Sequence, residues 1–274
     1  MSYTRQKKIK RRLRKTISTI FGLYIMVGTS LYFLQEKILF RPTILELDYQ
    51  YSFSYPFEEL FLKINDDAII NALHFKAEES KGVILYFHGN SGDLSKWGNI
   101  TEYFVRLNYD VFVMDYRTYG KSTGVLSEQV LYDDAQYCYN FLTEKYNEND
   151  IVIYGRSLGT AIATKTAATN QPKQLILESP YYSIIDVAKK RFPVVPVSYL
   201  MNYELPTYKF IQEVSCNISM LHGTEDYVVP FSSGEKLFKV APREKTTFTS
   251  IPNAGHNDLN EFKLYHQQIE KILH

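Results

Sequence analysis

The chain has 274 residues, of which 45% are hydrophobic and 15% aromatic, ample for one large α/β domain with a filled core. Its formal net charge of +1 hides an asymmetry: residues 1–15 hold eight of the 31 Lys and Arg and none of the 30 Asp and Glu, so residues 16–274 sum to −7. A mildly acidic body argues against a nucleic-acid-binding surface there, and the basic block is explained by the uncharged run next to it.

That run is "TISTIFGLYIMVGTSLYFLQ", Thr16 to Gln35, 20 residues without a charge. As a helix it spans roughly 30 Å, the thickness of a bilayer core. A cleaved signal peptide is the competing reading, but its apolar region is shorter and ends at a small-x-small cleavage site. Here Leu31, Tyr32, Phe33 and Leu34 continue the run and no A-x-A pattern appears. We therefore expect a basic cytoplasmic tail over residues 1–15 and an uncleaved transmembrane anchor over 16–35. The excess of Lys and Arg before the span keeps the N-terminus cytoplasmic and exports the remainder, to a periplasmic, extracellular or lumenal space. Residues 36–56, with prolines at both ends of "RPTILELDYQYSFSYP", read as a linker.

Beyond the linker, strand and helix alternate. Strands are expected at 59–65, 68–75, 82–89, 109–116, 150–155, 173–179, 218–223 and 246–251, the first two as an antiparallel pair turned at "NDD". Four of the later runs are short and almost continuously apolar, as in strands covered on both faces. Helical stretches fall near 95–107, 127–145, 157–169, 231–240 and 259–273. This alternation predicts an α/β domain over 57–274: a mostly parallel sheet of about eight strands with helices on both faces. Residues 181–214 break the rhythm, apolar and aromatic without alternation, and read as a lid-like insertion beyond a strand end. Cys138, in a helical pattern, and Cys216, before a strand, read as unbridged thiols.

The chemistry is carried by four strand ends. "IVIYGRSLGTA" places Ser157 between Gly155 and Gly159 at a strand-to-helix turn. A serine hydroxyl needs an adjacent base and an exposed oxygen, and a tight turn supplies the exposure if glycines let strand and helix approach. "LYFHGNSGD" ends a strand in His88, Gly89 and Asn90, a loop able to turn N–H groups inward. The N–H groups of Asn90 and Leu158 are the expected oxyanion donors, with His88 holding the loop rather than reacting. The orienting acid is assigned to Asp226 in "HGTEDYVVP", with Glu225 and Glu178 as rivals. His256 in "NAGHNDL" is the expected base, the one strand-end histidine downstream of both Ser157 and Asp226. No H-E-x-x-H motif or Cys/His cluster of ligand spacing occurs, so no metal and no cofactor are expected.

"HGN", "DYRTYGKSTG" (115–124), "GRSLG", "ESP", "HGTEDYVVP" and "AGH" together resemble the α/β-hydrolase superfamily. They are most similar to its membrane-anchored α/β-hydrolase domain-containing and bud-emergence-homologue-like branch, over about residues 57–274. The resemblance implies a serine hydrolase and a loop at Asp115–Gly124 that shapes the site. In that loop the branch often has glycine where this chain has Thr118. The expected reaction is Ser-His-Asp cleavage of an ester, thioester or amide in a small-molecule or acylated substrate, with a lipid-like one favoured by the anchor. Acyl transfer to another acceptor, an aminopeptidase-like activity on the same site, and a non-catalytic binding module are the alternatives.

Overall fold

Runs that are apolar at every position are stable only where both faces are covered, and the structure places them so. A computed structural model describes residues 3–274, Thr4 by its backbone alone. The first two residues of the expected basic tail lie outside the described residues.

One sheet contains all eight anticipated strands: β1 (Phe57–Asn65), β2 (Ala68–Phe75), β3 (Val83–Phe87), β4 (Asp110–Met114), β5 (Ile151–Arg156), β6 (Gln174–Glu178), β7 (Asn217–Gly223) and β8 (Thr246–Ile251). Their spatial order is β8-β7-β6-β5-β3-β4-β2-β1. The six from β8 to β4 are parallel, whereas β2 is antiparallel to both β4 and β1. Every residue of β3, β4 and β5 is buried.

Helices close both faces. On one, α2 (Leu94–Val105) and α9 (Lys263–Leu273) bury Leu94, Trp97, Phe104, Tyr265 and Ile269 against Ile84, Tyr86 and Tyr154. On the other lie α3 (Glu128–Thr143), α4 (Gly159–Thr169) and α8 (Phe231–Val240). Apart from Ile162, the buried residues of α4 are small, among them Thr160, Ala163, Thr164 and Ala167, which lets the helix approach β5 closely. Between α4 and α8, residues 181–214 form three short helices, α5 (Ile184–Arg191), α6 (Val197–Leu200) and α7 (Thr207–Phe210), and a 3-10 turn. Both cysteines are free, Cys138 within the core.

A single helix, α1, runs from Tyr3 to Leu39. It is long and apolar enough to cross a membrane by length and composition, and its most apolar 18-residue stretch has no buried residue. Residues 41–56 then lie against the domain. Arg41 and Pro42 pair with Ser91 and Gly92, the buried Tyr51 hydroxyl donates to Asn71 (2.9 Å), and the Phe53 ring packs on Phe57 and Phe75.

Candidate active site

The sheet reverses direction of growth at β3, with β4 added on one side and β5 on the other. In open α/β sheets such a reversal leaves a crevice at the carboxyl ends of the strands. The loops leaving β3 and β5 carry His88-Gly89-Asn90 and Ser157 into it.

Ser157 sits at φ +51°, the left-handed region, as the chain turns from β5 into α4. Such a backbone costs roughly 1–2 kcal/mol for an L-residue and is held here by Ser157 N–H donating to the Glu178 carbonyl (2.9 Å). The two motif glycines make the turn sterically feasible. A Cβ on Gly159 would lie 2.1 Å from the Phe87 carbonyl oxygen, and one on Gly155 2.6 Å from Ala163 Cβ.

Around Ser157 the structure gathers the other two residues singled out in the sequence. His256 Nε2 is 2.9 Å from Ser157 Oγ, and His256 Nδ1 is 2.7 Å from Asp226 Oδ2. Asp226 Oδ1 accepts from the N–H groups of Val228 (2.9 Å) and Val229 (2.8 Å). Burial pushes the Asp226 carboxyl up, but hydrogen bonding to His222 and His256 outweighs it and holds the group well below the usual carboxylate range. The two rival acids lie elsewhere. Glu225 is exposed, and Glu178 is buried against Arg156 (Nε to Oε1, 3.1 Å) and the hydroxyls of Tyr154 and Tyr265.

His88 is fully buried, with neither ring nitrogen on a member of the triad. Its Nδ1 lies 2.7 Å from the Gly89 carbonyl and its Nε2 3.2 Å from Asp115 Oδ1, and its ring stacks on Trp97. Asn90 is pinned from three sides: its carbonyl accepts from Arg41 N–H and the Tyr119 hydroxyl (2.8 Å each), and its Nδ2 donates to the Leu39 carbonyl (3.1 Å). Among the described residues no backbone carbonyl takes up the N–H of Asn90 or of Leu158.

Three contributors were not legible beforehand. His222 Nε2 lies 3.3 Å from Asp226 Oδ2 and 3.0 Å from the Val229 carbonyl, bracing the acid from behind. Asp115 ties the β4 loop to the site by accepting from Leu94 N–H (3.1 Å) and facing His88, which gives "DYRTYGKSTG" a physical role. Arg156, paired with Glu178, spreads its guanidinium 5.6 Å from the Trp97 ring at the cleft and stays 7% exposed. The sequence signal for His222 is a histidine four residues before the acid in "HGTEDYVVP".

The cleft over Ser157 has a volume of about 260 Å³ and is lined by Asn90, Lys96, Trp97, Arg156, His256 and Asn260, among others. A larger hollow of about 890 Å³ lies under the insertion, between Tyr182, Glu204 and Lys236, and contains none of the triad. Its size does not make it the reacting site, because no nucleophile–base pair opens into it. Among the described residues no group of three or more His, Cys, Asp or Glu is placed to hold a metal ion.

Comparison with known proteins agrees with this architecture. The sequence profile of the family described as "Serine aminopeptidase, S33" matches residues 78–210. The α/β-hydrolase domain-containing protein 17C of Homo sapiens is 32% identical over 202 residues, 72% of this chain and 58% of that protein. A protein of Acanthamoeba polyphaga mimivirus is 31% identical over 222 residues, covering 73% of this chain and 75% of its own. The chain spans 58–61% of the length of the 17C proteins it matches. In fold it is similar to an esterase from Pyrococcus furiosus, with a TM-score of 0.68 and 15% identity over 86% of this chain and 97% of that one. Acetyl xylan esterase 1 from Thermoanaerobacterium sp. gives 0.63 and 19%, over 84% and 86%. The chain belongs to the α/β-hydrolase family, among the α/β-hydrolase domain-containing proteins.

Proposed function

We propose that the chain is a membrane-anchored serine hydrolase that cleaves an ester, thioester or amide in a lipid-like or acylated substrate. The carrying observation is the unbroken hydrogen-bonded line from Ser157 Oγ through His256 to Asp226. His256 Nε2 takes the Ser157 proton as Oγ bonds to the substrate carbonyl carbon. The N–H groups of Leu158 and Asn90 hold the resulting oxyanion, and Asp226, kept ionised by its two histidine neighbours, stabilises the imidazolium. His256 then returns the proton to the leaving group. Water, deprotonated by the same nitrogen, releases the acyl group from Ser157.

Two features support a lipid-like substrate. Leu39, the last residue of α1, hydrogen-bonds to Asn90 at the rim of the cleft. It lies four residues, about 6 Å along a helix, beyond the end of the uncharged run at Gln35. The cleft also presents Lys96 and the Glu178-paired Arg156 near Trp97, and among the described residues no carboxylate lines it. Desolvation and the Arg156 charge lower the Lys96 ammonium from its ordinary value. A free α-ammonium group, which an aminopeptidase must hold, would find no carboxylate partner on this lining. That favours an ester or thioester over an aminoacyl amide. The basic residues Arg5–Lys15 in the first part of α1, ahead of the uncharged run, favour a cytoplasmic N-terminus and a cleft on the exported side.

A panel of acyl esters of increasing chain length, presented to the full chain in micelles, tests the substrate class. Turnover is expected to rise with acyl length. Cleavage confined to short water-soluble esters or aminoacyl amides overturns the lipid assignment.

A further inference from the structure

The insertion between β6 and β7 carries a surface that the triad does not use. In "KKRFPVVPVSYL", Lys189 to Leu200, the side chains of Val194 and Tyr199 are 78% and 90% exposed, and Lys189, Lys190 and Arg191 stand at the surface beside them. No acidic residue occurs between Asp186 and Glu204. An exposed stretch that combines bulky apolar side chains with basic ones has the composition of an interfacial lipid-binding segment.

Its position relative to α1 says what covers it. Gln35 Nε2 donates to the Leu200 carbonyl (3.2 Å), Asn202 N–H donates to Gln35 Oε1 (2.6 Å), and the Tyr203 hydroxyl donates to Glu36 Oε1 (2.8 Å). Leu31 and Ile38 of α1 face Phe192, Val197 and Leu200 across a small apolar seam. Leu200 Cδ1 reaches further down the helix, to 3.7 Å from where a Cβ on Gly28 would stand. Gly28 precedes Gln35, the end of the uncharged run, by seven residues, or about 10 Å of helix. A bilayer that takes up Thr16–Gln35 therefore has the end of the Leu200 side chain below its surface and the Leu200 backbone level with it.

We propose that Lys189–Leu200 is a second membrane contact, dipping into the lipid interface beside α1, with Tyr199 and Val194 among acyl chains and Lys189, Lys190 and Arg191 at anionic headgroups. It makes the catalytic domain a body seated on the bilayer at two points, its cleft held at a set height over the lipid. The inference rests on α1 being a membrane span, and the experiment separates the two.

Full-length protein is reconstituted in phosphatidylcholine vesicles with and without phosphatidylglycerol. Tryptophan is introduced singly as Tyr199→Trp, Val194→Trp, Phe21→Trp within the uncharged run, and Glu79→Trp before β3, at the end of the sheet away from the cleft. Native Trp97 is buried and serves as a constant background. Quenching by acyl-chain-brominated lipid is expected to be about threefold or more greater for Tyr199→Trp and Val194→Trp than for Glu79→Trp. It should grow with phosphatidylglycerol, and the combined Lys189→Glu, Lys190→Glu and Arg191→Glu change should remove that growth. Strong quenching of Phe21→Trp with Tyr199→Trp no different from Glu79→Trp overturns the second contact and leaves the anchor. Absent quenching of Phe21→Trp overturns the anchor itself, and the second contact with it.

Discussion

Asp226 is buried between two histidines, and only one of them touches the nucleophile. His222 reaches the same carboxylate oxygen that orients His256 and packs so tightly that a Cβ on Gly234 would lie 2.4 Å from its Nδ1. It is a positioning residue, acting through Asp226. His222→Phe is expected to lower kcat about tenfold, the equivalent of one lost hydrogen bond to a charged group, with KM unchanged in ester hydrolysis. A proportionate change in KM instead would mark a role in binding. Thr118 is a second informative position. It occupies φ +73° in the loop that braces Asn90, a conformation that β-branched residues rarely adopt. The left-handed penalty of about 1–2 kcal/mol exceeds glycine's extra chain entropy of about 0.5–1 kcal/mol. Thr118→Gly should therefore raise the thermal midpoint slightly, and a lower midpoint would show that the Thr118 side chain contributes packing that outweighs the strain.

At the scale of elements, α4 against β3 and β5 is the contact on which the site depends. Gly159 has no room for a methyl group because the Phe87 and His88 carbonyls close over it, and carbonyls of a central strand cannot swing aside as a side chain can. Gly159→Ala is expected to destabilise by about 2–3 kcal/mol as an overpacked site, read as a lower urea midpoint, and to misplace Ser157. An unchanged midpoint would show that α4 is free to shift. Much of this level was legible beforehand. All eight strands fall within about two residues of the expected spans, and the four near-continuous apolar runs among them are legible because a doubly covered strand needs apolar residues at every position. Ser157, Asp226 and His256 were legible because each ends or follows a strand, and parallel strands bring those ends to one edge. What stayed hidden depends on contacts distant in sequence. Tyr51 and Phe53 dock residues 41–56 through Asn71 and Phe75, and no periodicity announces that. Arg156 in its buried pair with Glu178 depends on the register of β5 against β6, which sets those two residues side by side. The last helix begins at Lys263, after a 3-10 turn at Leu259–Glu261 that a single apolar stripe over 259–273 does not distinguish.

For the whole molecule, pH is the variable that reads the buried charges. His74 is fully buried on β2, and burial, reinforced by the nearby Lys76, lowers it from 6.5 to about 4. The unfolded chain thus binds a proton that the folded chain refuses between those values. The stability this contributes is complete above pH 6.5 and is lost as the pH falls through about 4. Asp226, whose carboxyl is also depressed, adds a loss at still lower pH, below the ordinary carboxylate value near ~4. Urea midpoints followed from pH 7 downward should decline across the histidine window, and His74→Gln should flatten that decline. An undiminished slope in the variant would move its origin elsewhere.

Everything proposed for the cleft depends on Ser157 being an activated nucleophile, and reaction of the full-length protein with a fluorophosphonate probe tests that most directly. Covalent labelling is expected on the peptide carrying Ser157, with none in Ser157→Ala and labelling slowed about 10³-fold or more in His256→Ala. Absent labelling of the unaltered protein, or equal labelling of Ser157→Ala, would contradict it.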